Sequence, residues 1–60
     1  MYWIWVKAYE NGKHIYSMRY YQSYVRKGYA ERIAKEYWKD HGTRTFETIV
    51  SPTNPFKEES

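Results

Sequence analysis

The chain has 60 residues, 22% of them aromatic, a formal net charge of +3 and no cysteine. A domain of that size buries only about 60% of the surface its unfolded chain exposes, which excludes a two-domain enzyme with a deep cleft. The absence of thiols excludes a disulfide framework, a cysteine zinc site and a thiol nucleophile.

The apolar start Tyr2-Trp3-Ile4-Trp5-Val6 is interrupted by Lys7 and has no basic region before it. No run approaches the ~18 apolar residues of a membrane span, so the expectation is a cytoplasmic chain with neither anchor nor signal peptide. From Tyr2 to Tyr9 the residues are aromatic, β-branched or long, and Asn11-Gly12 follows. That dipeptide between two such runs signals a hairpin, because a type I′ turn needs positive φ at both central residues. The sequence predicts strands over 2–9 and 14–21. Uninterrupted pairing sets Glu10 against Lys13, Tyr9 against His14, Ala8 against Ile15, Val6 against Ser17, Trp5 against Met18 and Trp3 against Tyr20.

Residues 22–28 show neither alternation nor a clear cap and read as a connection. Ser23 is a possible N-cap, but Gly28 inside a helix costs about 1 kcal/mol relative to Ala, which favours a start near Gly28. Tyr29, Ala30, Ile33, Ala34, Tyr37, Trp38 and His41 recur at three and four, predicting an amphipathic helix to His41, with Gly42 just beyond its end. Thr43 to Ser51 is β-branched and bounded by Gly42 and Pro52, a third strand. The fold class expected is α+β in the order β-β-α-β, with an antiparallel hairpin, a third strand and one helix on one face. Residues 1–51 form the single domain, and 52–60 a proline-containing extended tail with Phe56 as its anchor and a frayed charged end.

With uninterrupted pairing, Ile4, Val6, Ala8, Ile15, Ser17, Arg19 and Tyr21 share one face, and Trp3, Trp5, Lys7, Tyr9, His14, Tyr16, Met18 and Tyr20 share the other. The aliphatic face suits a helix carrying Ala30 and Ala34. One helix covers one face, so the other exposes more apolar area than the roughly 300–600 Å² of a typical largest patch. Trp3, Trp5, Tyr16 and Met18 are therefore the candidate partner-binding residues, for a protein partner, an inhibitory contact or a homodimer.

Between Lys13 and Lys27 lie four cations, no acid and four tyrosines. Bases stack on aromatic rings while cations track phosphates, so Lys13, Arg19, Tyr20, Tyr24, Arg26 and Lys27 are the candidate nucleic-acid contacts. His14 on this basic strand invites a general-base role toward an RNA 2′-hydroxyl. Its strand, Gly12-Lys13-His14-Ile15, resembles the Gly-Ser-His strand of HicA-type ribonuclease toxins over three residues, although the helix those proteins place first is absent. A cross-strand pair with Tyr9 accounts for the imidazole more simply, and His41 reads as a cation at the helix C-terminus. A hairpin followed by a helix is similar in architecture to integrase-arm DNA-binding domains, which place three strands before the helix; no residues carry over. The expectation is a small non-enzymatic binding module, with no metal, cofactor or small-molecule substrate. Nucleic acid is its first candidate partner, and its size suits a regulatory or accessory protein of a phage or mobile element.

Overall fold

The computed structural model describes residues 1–56. It has strand β1 (Tyr2–Glu10), strand β2 (Lys13–Tyr24), helix α1 (Lys27–Tyr37) and strand β3 (Arg44–Ser51). The three strands form an antiparallel sheet in the order β2-β1-β3, so the fold is α+β with the expected β-β-α-β order. Asn11 and Gly12 both have positive φ, 53° and 78°, which makes the first turn the one that Asn-Gly favours.

The helix lies on the face of Ile4, Val6 and Ala8, all three fully buried. Ala30 and Ala34 are small enough to let the helix backbone approach, and Tyr24 closes the same cluster. Full burial stabilises by about 1.5–3 kcal/mol for a side chain such as Ile4 or Val6. Ala8 is flanked in the ladder by Tyr16 on β2 and Phe46 on β3. The helix begins at Lys27, with Arg26 as an N-cap of extended backbone that supplies no side-chain cap.

Three expectations change. First, the hairpin register is interrupted. Glu10↔Lys13 and Tyr9↔His14 pair as expected, but Ala8 then faces Tyr16, Val6 faces Met18 and Trp5 faces Arg19, with Ile15 left over as a bulge. One extra residue turns the rest of the strand over. Tyr16, Met18 and Tyr20 therefore lie on the helix side, and Ser17 and Arg19 lie beside the tryptophans. Second, β2 continues to Tyr24. A further irregularity between the Trp5↔Arg19 and Trp3↔Ser23 pairs carries Tyr24 opposite Tyr2, so Ser23 is a strand residue and not a cap.

Third, the helix stops at Tyr37, one turn before His41. The apolar period runs on through Trp38, but the chain has to return to β1. Asp40 accepts the backbone N–H of Phe46 at 3.0 Å. His41 exchanges two backbone hydrogen bonds with Arg44 around a left-handed Gly42, at φ 60°. His41 is thus a turn residue and not a helix-terminal cation. Phe56 packs edge-on against Trp5 with centroids 6.5 Å apart, and the frayed end expected after it lies outside the described residues.

Candidate functional site

The side of the sheet away from the helix is built by alternation from all three strands. Trp3, Trp5, Lys7 and Tyr9 come from β1; their ladder partners are His14, Ser17, Arg19 and Ser23 on β2 and Thr45, Glu47, Ile49 and Ser51 on β3. Trp3 and Trp5 are only half-buried. The Trp5 indole donates from Nε1 to the Ser51 carbonyl at 3.0 Å, which fixes its ring plane. Phe56 then closes over one edge of Trp5, and the Lys7 ammonium sits 4.7 Å above the Phe56 ring. A shallow depression of about 240 Å³ remains between Trp5, Ser17, Arg19 and Phe56.

Arg19 is the charged centre of this face. Its guanidinium carbon lies 4.1 Å from the Trp3 ring centroid and 6.0 Å from that of Trp5. Among the described residues no carboxylate pairs with it. A guanidinium stacked on an indole keeps its in-plane N–H donors pointing past the ring, where they match the geometry of a phosphate.

The helix side holds a different aromatic group. Tyr20 meets Trp38 at 4.9 Å and Tyr37 at 6.0 Å, and Tyr24 meets Tyr29 at 5.4 Å. Neighbouring residues of a regular strand point to opposite faces, yet the Tyr20 and Tyr21 rings are 4.7 Å apart because the strand is irregular there. A hydrogen bond with Tyr21, followed by burial and by the nearby phenols, pushes the Tyr20 phenol up to about 12. Tyr24 is also raised, first by burial. Both stay neutral at physiological pH and serve as packing.

The residues singled out from the sequence therefore fall in separate places. Trp3 and Trp5 share the helix-free face with Arg19, whereas Tyr16 and Met18 sit across the sheet from them, 40% and 36% exposed. Lys13 is at the hairpin tip and Arg26 and Lys27 start the helix, while Tyr20 and Tyr24 are engaged in the helix-side packing. His14 meets Tyr9 at 5.7 Å, and its Nε2 lies 2.9 Å from the Ser17 hydroxyl. Lys7 lies on this face as expected, and Ile49 was missed as a member of it. Alternation assigns Ile49 to the face once β1 is known to be central. Glu10 faces Lys13 in the ladder as expected, and its carboxylate is held by the Thr43 hydroxyl and by Arg44 Nε at 2.8 Å, which keep it below the usual range.

Among the described residues no group of His, Asp or Glu is placed to hold a metal ion, and no helix is long and apolar enough to cross a membrane. No protein-family model, curated protein or solved structure matches the chain.

Proposed function

We propose that the chain is a small binding module that takes single-stranded nucleic acid on the helix-free face of its sheet. One observation carries the reading: Arg19, stacked on Trp3 and without a carboxylate partner among the described residues, stands among half-exposed indoles. The guanidinium edge suits a backbone phosphate, and the rings of Trp3 and Trp5 offer surfaces on which flanking bases stack, at about 1–3 kcal/mol each. Cations and aromatics on one surface favour a polyanion with flat bases over a purely apolar protein partner, and the net charge of +3 has the right sign.

The test is fluorescence titration of the tryptophans with short single-stranded oligonucleotides at several salt concentrations. The expected result is affinity that falls with salt, with a slope lowered by roughly 0.7 in Arg19→Ala, one phosphate contact. Absence of binding at low salt, or a slope unchanged by the substitution, removes this reading and leaves the face to a protein partner.

A further inference from the structure

One wall of the helix-free face comes from outside the strands, from residues 52–56. They follow β3 and fold back over the sheet through two local turns. The Ser51 hydroxyl accepts the Thr53 N–H at 3.2 Å, and Asn54 Oδ1 accepts that of Phe56 at 2.8 Å. Pro52 and Pro55 have fixed φ, so less backbone freedom is lost in ordering this segment. The Trp5 indole holds its start through the Ser51 carbonyl, and the Lys7 ammonium caps the ring at its end. Phe56 is thereby set at 84° to Trp5, and the two rings make a corner.

The corner is one side of the depression of about 240 Å³, and Arg19, Ser17 and Asn54 bring polar groups to its other sides. Asn54 Oδ1 is taken by the Phe56 N–H, so Nδ2 is the half of that amide left to donate. Ser17 Oγ lies 2.9 Å from His14 Nε2; whichever of the two donates, the hydroxyl keeps a lone pair. Arg19 lies 4.1 Å from the Trp3 centroid and 6.0 Å from that of Trp5. Its guanidinium thus covers one face of Trp3 and only borders Trp5, so Trp5 is the indole with room for a further ring.

We infer that this corner is a subsite for one unpaired base of the strand bound by the face, an assignment that rests on the nucleic-acid reading above. The base stacks on one of the two rings with its edge toward the other. Asn54 and Ser17 meet its polar edge as donor and acceptor, and Arg19 holds the phosphate of the same nucleotide. Each of the common bases carries both an acceptor and a donor on its pairing edge, so the subsite selects an exposed base over a paired one and not one base over another. In a duplex that edge is taken by the opposite base and the ring faces by stacked neighbours. An aliphatic side chain would fill the corner and use none of the three polar groups around it.

The test is fluorescence anisotropy of dye-labelled strands with the full chain at several salt concentrations. Three probes are compared: a short single strand, the matching duplex, and an abasic strand with the same sugar–phosphate backbone. Phe56→Ala is expected to weaken binding of the base-bearing single strand roughly tenfold without altering its salt slope, and the loss is expected to be absent on the abasic strand. Asn54→Ala, at an exposed position, is expected to weaken the base-bearing strand roughly fivefold. Far-UV circular dichroism checks the fold of each variant, and if Phe56→Ala unfolds, Asn54→Ala decides alone. Equal losses on the base-bearing and abasic strands would make Phe56 a support for the face and overturn the subsite. So would a duplex bound as tightly as the single strand. If both variants change nothing while Arg19→Ala lowers the salt slope, the nucleic-acid reading stands and the subsite falls; a wild type that binds none of the three probes overturns both.

Discussion

Deletion of Ile15 distinguishes the bulged register from an uninterrupted one, because the two respond in opposite directions. In the structure Ile15 has no ladder partner and is 45% exposed. Removing it joins His14 to Tyr16 and restores strict alternation without moving any later pair, so Tyr16 still faces Ala8 and Tyr24 still faces Tyr2. The loss is about half of one isoleucine's burial, about 1 kcal/mol. For a domain of this length that lowers Tm by roughly 4–8 °C. Had Ile15 paired with Ala8, with Tyr21 on the same side, deletion would take Ile15 from the helix side, slide the rest of β2 by one place and turn Tyr21 away from the helix. Two large side chains removed from burial cost roughly 3–6 kcal/mol, against roughly 3–9 kcal/mol for the whole fold of such a chain. Thermal melts by circular dichroism, with amide assignments to locate the Ala8–Tyr16 contact, read the difference. A deletion variant that is unfolded at room temperature refutes the bulge.

Two further expectations concern the turn and the phenols. Gly12→Val, at φ 78° with open space around it, meets backbone strain and no clash, so Tm should fall by an amount matching roughly 1–3 kcal/mol, whereas Gly28→Ala in the helix should raise it; equal melting of both variants would contradict the left-handed turn. Tyr20, with its phenol raised to about 12, stays protonated in the fold where an unfolded tyrosine near 10 ionises. Its contribution to stability is therefore whole below about pH 10 and lost as pH rises toward 12, a decline that melts at stepped alkaline pH should show and that Tyr21→Phe should flatten.

What could be read from the sequence was local. Asn11-Gly12 specifies its turn whatever surrounds it, and Ala30 and Ala34 at spacing four mark the side of the helix that approaches the sheet over Ile4 and Val6. The end of the helix was not local. Trp38 continues the apolar period, and what stops the helix is a set of bonds to residues that follow it: Asp40 to Phe46, and His41 to Arg44. Propensity within the segment carries no trace of those partners.

The bulge was equally invisible, because Ile15 is a good strand residue whichever way it points. Its consequence is the composition of the candidate site. Were Ile15 paired with Ala8, Tyr16 and Met18 would stand beside Trp3 and Trp5, giving a face of aromatics and a thioether suited to another apolar surface. With Ile15 bulged out, those two side chains cross to the helix side, and Ser17 and Arg19 take their places. The guanidinium then reaches Trp3 at 4.1 Å, and an apolar patch becomes a cationic one set among rings. A single unpaired residue thus decides which class of partner the face suits, and the register measured by the Ile15 deletion bears directly on the binding measured by titration.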